Sequence, residues 1–380
     1  MKRLIELAER WLRHGLVYPV LGVLFRNKVS SRPIDLGMVN RIIIFRFDRI
    51  GDMIVTTPIF RALKKNNANV QIAVLASSVN QEIPLSSPLV DDVYVLEKGW
   101  LGLIKQIRYL RRQRYDVLLN FVFNRTTSPG ILANLIAPNG FKVGQGPEKY
   151  SFYFNRLLNL PRFDHHMADT LTSYIELVFG ITVPEDQRRL ELPVSQNVTD
   201  FVDRFLAEHG IRRRLGSRVQ LAAYGLLNLS VKDANRKFSA EQVSRLASHI
   251  SATQGIKIVL LVAPGDQETE LMFTTNPELS AFPVYAAAGA DPLGQLASIV
   301  EGAQFVVTMD TSLVHFASAM QTPVLALYTE PSLQKEWGPY RVQHAMLLSP
   351  TGKGISGIPV DDLVEKTDEF LASLKSTGKA

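Results

Sequence analysis

From residue 41 onward, short runs rich in β-branched and aromatic residues alternate with stretches of helical spacing. The run Arg41-Ile-Ile-Ile-Phe-Arg-Phe47 is almost continuously apolar, the pattern of a strand buried on both faces. A helical pattern over Met53–Lys65 follows, with a restart predicted at Pro58 because proline is tolerated in a first helical turn. Val70–Ala76, Asp92–Leu96 and Tyr115–Phe123 are further predicted strands. Between the last two, Trp100–Arg112 has helical spacing and a basic outer face.

The alternation weakens over Ile181–Ser195, where Pro184, Pro193 and several charges cluster, and a linker is predicted there. It then resumes with a helix at Val198–His209, a strand inside Val219–Ser230, a helix at Ala240–Thr253 and a strand at Ile256–Ala263. Strand Gln304–Met309, helix Ser312–Ala319, strand Pro323–Tyr328 and a last helix, Val360–Leu374, complete the pattern. Apolar strands separated by helices imply parallel sheets covered on both faces. The expected architecture is α/β, with two doubly wound Rossmann-like domains, at 41–185 and 195–358, facing a central cleft. A basic segment, 1–40, precedes them and a helix and tail, 359–380, follow. Ligands of such sheets bind beyond the carboxyl ends of the strands.

A chain of 380 residues with 46% hydrophobic and 21% charged residues has the composition of a folded globular protein. The net charge of +6 suits an anionic small molecule or an anionic membrane surface as well as nucleic acid. A nucleic-acid binder would need a dense basic stripe, whereas these charges are spread along the chain. Cysteine is absent, which removes disulfides, thiolate metal sites and cysteine nucleophiles, and is compatible with a cytoplasmic location. The apolar stretch Gly15–Phe25 is interrupted by Pro19 and falls short of the roughly 20 residues a spanning helix needs. Lys2, Arg3, Arg10, Arg13, Arg26 and Lys28 flank it. It reads equally as a helix on an anionic leaflet or as one packed on the protein's own surface.

Four segments at predicted strand ends carry candidate chemistry. In Arg46-Phe-Asp-Arg-Ile-Gly-Asp52, Gly51 permits a tight turn or a close backbone approach. Asp52 reads either as a general base or as a helix cap. Arg46 and Arg49 add cations, and a surface ion pair with Asp48 is an equally plain reading. In Asp310-Thr-Ser-Leu-Val-His315, a helix starts where unpaired N–H groups and the dipole would bind phosphate. Asp310 or Thr311 is equally a simple N-cap there, and His315 a packed histidine. Arg236 and Lys237, in the loop Leu229–Phe238, would neutralise a leaving diphosphate or form a solvated basic loop. Asp266 and Glu268 would hydrogen-bond a ribose or base, or merely favour a first helical turn.

No Asp-x-Asp triplet, Walker loop or Gly-x-Ser-x-Gly elbow is present. Gly144-Gln145-Gly146 lacks a third glycine and a following helix, and only Gly51 stands after the first strand, where a nicotinamide-dependent oxidoreductase would carry its glycine fingerprint. His165-His166 has no partner at metal spacing and is read as non-metal.

Together these segments resemble the ADP-heptose:lipopolysaccharide heptosyltransferases, glycosyltransferase family 9. The similarity lies in Arg46–Asp52 with Thr56-Thr57-Pro58, in Asp310–Ala319 with Thr322-Pro323-Val324, and in Trp337-Gly338-Pro339-Tyr340. The resemblance implies a GT-B fold and an inverting, metal-independent transfer that needs no cofactor beyond the nucleotide sugar, ADP-heptose. It implies Asp52 as the base, with Arg46, Arg49 and Gly51 on the acceptor side. It assigns the donor's diphosphate to Asp310, Thr311 and His315, with Arg236, or else Lys237, on the phosphates and Glu268 on the ribose. Ser312 stands where the family usually has glycine. The implied partners are a nucleotide-sugar donor and a lipopolysaccharide or glycolipid acceptor, with no nucleic acid. The implied location is the cytoplasm or the inner face of its membrane. A catalytically silent binder of the same fold, or a transferase using another nucleotide sugar, fits the same residues.

Overall fold

The computed structural model describes residues 18–25, 27–123, 127–211, 213 and 224–376. The basic flanks Lys2, Arg3, Arg10, Arg13 and Arg26, and the first part of Gly15–Phe25, lie outside the described residues. Tyr18–Leu24 is helical. No helix among the described residues is long and apolar enough to cross a membrane.

The chain divides into two compact units. The first takes Met1–Arg49, Ile59–Pro161 and Thr170–Gln187; the second takes Ile50–Pro58, Arg162–Asp169 and Arg188–Ala380.

The first unit is built on six parallel strands: β1 (Arg41–Phe45), β2 (Gln71–Ala76), β3 (Asp92–Val95), β4 (Val117–Asn120), β5 (Phe141–Gln145) and β6 (Arg156–Leu158). Their order is β3-β2-β1-β4-β5-β6. β1 is central, with Ile43 opposite Ala73 of β2 and Leu118 of β4. Ile42 to Phe45 are wholly buried, as the unbroken apolar run predicts. The predicted helix Trp100–Arg112 forms and packs inward through Leu103, Ile107 and Leu110. β5 and β6 are not evident in the sequence pattern, because Lys142 and Gly144 interrupt the apolar run. Gly144 is needed for close approach: a Cβ there would meet the Phe154 ring at 2.5 Å. Gly144 therefore serves sheet packing.

The second unit repeats the winding with β7 (Tyr224–Asn228), β8 (Lys257–Leu261), β9 (Val284–Tyr285), β10 (Phe305–Met309), β11 (Val324–Tyr328) and β12 (His344–Leu348). Their order, β12-β11-β10-β7-β8-β9, is that of the first sheet with its ends renumbered, and every pair is again parallel. The order reverses between β1 and β4 in one unit and between β7 and β10 in the other, where ligands of such sheets bind. Helix Ala240–Gln254 starts with a full capping box between Ser239 and Gln242 and ends on Gly255 in the left-handed region. Helix Val360–Ser376 lays Leu363, Phe370, Leu371 and Leu374 into this unit's core.

The helical pattern over Met53–Lys65 resolves into two helices, Ile50–Ile54 and Thr57–Asn66. Threonine hydroxyls take carbonyls at the break: Thr56 Oγ1 donates to Asp52 O at 2.9 Å and Thr57 Oγ1 to Ile54 O at 2.8 Å. Pro58 is the second residue of the new helix, where its missing N–H costs nothing.

Candidate functional site

In the second unit, the loops leaving β7 and β10 meet. After β10, Thr311 is the N-cap of helix Ser312–Met320, its hydroxyl accepting from Leu313 N at 3.3 Å. Asn228, which ends β7, donates through Nδ2 to Thr308 Oγ1 at 3.0 Å and to Thr311 Oγ1 at 3.3 Å. This buried amide fixes the cap across the sheet. Sequence reasoning missed it, and its signal is a polar residue closing the apolar run just before the basic loop.

Arg236 closes a turn at Ala234–Arg236 that Asp233 caps. Its Nη1 lies 2.9 Å from both Asp310 O and Asp310 Oδ2, so the guanidinium is held beside the start of the Thr311-capped helix. Lys237 serves a different cluster. Its Nζ is ion-paired with Glu268 and 3.8 Å from Asp266 Oδ1. Asp266 caps helix Gln267–Thr275 and accepts from Thr269 N at 3.2 Å, Thr269 Oγ1 at 2.8 Å and Ser230 Oγ at 2.9 Å. Burial alone would raise the Asp266 pKa. These hydrogen bonds and the Lys237 charge outweigh it and hold the carboxyl below the usual range. Asp266 is therefore an ionised cap, while Glu268 is exposed.

Helix Ile50–Ile54 also belongs to the second unit and packs on helix Ser312–Met320. A Cβ on Gly51 would stand 2.7 Å from His315 Cδ2 and 3.7 Å from Ser312 Cα. Gly51 is thus required by close approach of two helices, one of the two readings the sequence allowed. Asp52 is buried and occupies the third helical position, so it is not the N-cap. His315 is buried, with its ring 6.1 Å from that of His166 and 5.8 Å from that of Trp337.

The Trp337–Tyr340 segment is locked from two sides. His166 Nδ1 accepts from Ala168 N at 3.1 Å, which leaves Nε2–H to donate to Gly338 O at 3.0 Å. Burial pushes the His166 pKa down to about 3, outweighing the bond to Gly338, so the ring is neutral. It stacks on Tyr340 at 4.3 Å, and Tyr340 Oη donates to Asp169 at 2.7 Å. Glu336 is wholly buried, ion-paired with Arg162 through both oxygens and accepting from Trp337 Nε1 at 2.8 Å. Neither Arg162 nor Glu336 was singled out from sequence.

Arg46 and Arg49 belong to the first unit. Arg46 is buried, bonded to Phe121 O and 3.3 Å from Asp48, so the ion pair that the sequence allowed forms with its arginine buried and Asp48 only partly so. Asn80, fully buried, donates to Arg46 O at 2.9 Å and Arg49 O at 3.3 Å and shapes this turn. The Arg49 side chain is exposed. Gly51, Ser312, His315, Thr311, Asp310 and Arg236 are linked by contacts within one unit; Lys237 and Glu268 form a neighbouring pair on the same loops.

The profile of glycosyltransferase family 9 (heptosyltransferase) matches residues 103–356, more than half of the chain. Over 290 residues the chain is 23% identical to the lipopolysaccharide core heptosyltransferase OpsX of Haemophilus influenzae, covering 75% of this chain and 78% of that one. It is 22% identical over 349 residues to lipopolysaccharide heptosyltransferase 3 of Escherichia coli, covering 84% and 95%. The crystal structure of a family 9 glycosyl transferase from Veillonella parvula superposes with a TM-score of 0.71 at 20% identity, covering 90% of this chain and 100% of that one. The structure of E. coli ADP-heptose lps heptosyltransferase II gives 0.68 at 21% identity, covering 88% and 99%. These structures share the fold, which is GT-B with two Rossmann-like domains. The chain is a glycosyltransferase and belongs to glycosyltransferase family 9, the heptosyltransferase family.

Proposed function

We propose that the chain transfers a heptose from ADP-heptose to the lipopolysaccharide core or a related glycolipid, by an inverting, metal-independent displacement. Asp52 accepts the proton of the acceptor hydroxyl as that oxygen attacks the anomeric carbon. The bond from that carbon to the diphosphate oxygen breaks as the new glycosidic bond forms, and the nucleoside diphosphate leaves. Its charge is met by Arg236 and by the N-terminus of the helix that Thr311 caps. Asp310 holds Arg236, His315 borders the diphosphate, and Glu268, steadied by Lys237, takes the donor's ribose. Arg49 and Gly51 lie on the acceptor side, with Arg46 shaping the turn. In this reading the protein works in the cytoplasm, at the inner face of the membrane that holds its acceptor.

The observation that carries this reading is the packing of the Asp52 helix on helix Ser312–Met320, with Gly51 against His315. That packing supports reading Asp52 as the base beside a phosphate cradle at the start of helix Ser312–Met320. The relatives named for lipopolysaccharide and ADP-heptose support the choice of donor and acceptor. The test is nucleoside diphosphate release from a panel of nucleotide sugars, with and without core glycolipid. Acceptor-dependent ADP release from ADP-heptose is expected. Release from a different sugar nucleotide would replace the donor, and no release from any would favour a silent binder.

A further inference from the structure

Helix Trp100–Arg112 presents a face that the proposed chemistry does not use. Its inner side belongs to the first unit's core. From Lys98 to Arg114 the chain carries six cations, Lys98, Lys105, Arg108, Arg111, Arg112 and Arg114, and no acid, Glu97 lying just before. All six are exposed. On the same outer side Trp100 is 71% exposed, Leu101 58% and Ile104 40%. These three occupy one turn, so they form a single apolar patch bounded by positive charge.

We propose that this face docks on an anionic bilayer surface. Trp100, Leu101 and Ile104 enter the interfacial layer while the cations meet lipid phosphates. A tryptophan at headgroup level beside aliphatic side chains and a Lys/Arg surround is what an interfacial helix offers. A nucleic-acid strand would match the cations but leave Leu101 and Ile104 without a partner, since its recognition relies on aromatic stacking. The docking itself does not depend on the transferase reading; its effect on turnover does.

The test is flotation of the full chain with phosphatidylcholine vesicles, with and without about one quarter phosphatidylglycerol. Binding should require the anionic lipid and be lost at about 0.5 M salt, where the Debye length is a few ångströms. Arg108→Glu/Arg111→Glu/Arg112→Glu should lower partitioning at least about tenfold. Trp100→Ser/Leu101→Ser/Ile104→Ser should lower it too, with circular dichroism and melting unchanged because all six positions are exposed. Both variants should turn over a detergent-solubilised acceptor at the parental rate and a vesicle-embedded one more slowly. Parental vesicle binding by both variants, or binding indifferent to phosphatidylglycerol, would overturn the proposal. So would variants that lose only binding to an RNA oligonucleotide. If no donor is turned over but vesicle binding follows the expected pattern, the docking stands and the transferase reading falls.

Discussion

At the scale of single residues, charge and burial separate the candidates. Asp52→Asn keeps the volume and removes the proposed base. Turnover should fall by about 10²–10⁴-fold while donor binding by calorimetry stays parental, and near-parental turnover would remove Asp52 from the mechanism. Arg236 differs from its neighbour Lys237, because only Arg236 is fixed beside the Thr311-capped helix. Lys142 shows the opposite economy. Its ammonium is buried, with Ala137 O at 3.0 Å and Gly140 O at 2.7 Å, and burial pushes its pKa down to about 8. Between about 8 and the ordinary 10.5, the unfolded chain holds a proton the native chain lacks, so stability rises with pH across that window. Urea denaturation at about pH 7 and about pH 10 should show this rise in the parent and lose it in Lys142→Met. An equal rise in both would mean that other groups cause it.

At the scale of elements, the proposed site rests on the contact between helices Ile50–Ile54 and Ser312–Met320. Gly51→Ala drives a methyl into the His315 ring and should destabilise the protein by about 1–3 kcal/mol. His315→Ala in the same chain opens that space, so the double variant should be more stable than the sum of the single changes allows. Additive losses in chemical denaturation would show that the two residues do not touch in solution. The sequence signalled this element only in part. Long apolar runs such as those of β1 and β10 announce themselves, and so do Thr311 and Pro58. β5 hides behind Lys142 and Gly144, β9 has two residues, and the half-exposed β12 lacks a continuous apolar stretch. The partners that tie loops together, Asn228, Asn80 and Glu336, were illegible for another reason. A buried polar residue is defined by what it meets across the fold, which spacing along the chain does not record.

At the scale of the whole molecule, each of the two similarly wound sheets has, among the described residues, a buried cluster of its own. Each core should therefore melt as its own cooperative transition. Ile43→Ala should lower one transition by about 2–5 kcal/mol and Leu227→Ala the other. ADP at about 100 times its Kd should raise only the transition that Leu227→Ala lowers, by about 2.7 kcal/mol. A single calorimetric transition that both substitutions shift would refute this independence. The doubly wound pattern made the two sheets legible from sequence, whereas the membership of residues 50–58 and 162–169 in the second unit was not, since contacts rather than chain order define it.

That last feature bears on how the protein is born. The first sheet is complete once Leu158 is made, so it is free to close while the rest is still being translated. The helix holding Gly51 and Asp52 must wait for residues 312–320, about 260 positions later. At roughly 5–20 residues per second, that is a delay on the order of ten to fifty seconds on the ribosome. Throughout it, the nascent chain carries a finished scaffold and an unfinished centre. A truncated product ending before residue 312 would therefore keep its first sheet and have no helix against which to seat Asp52.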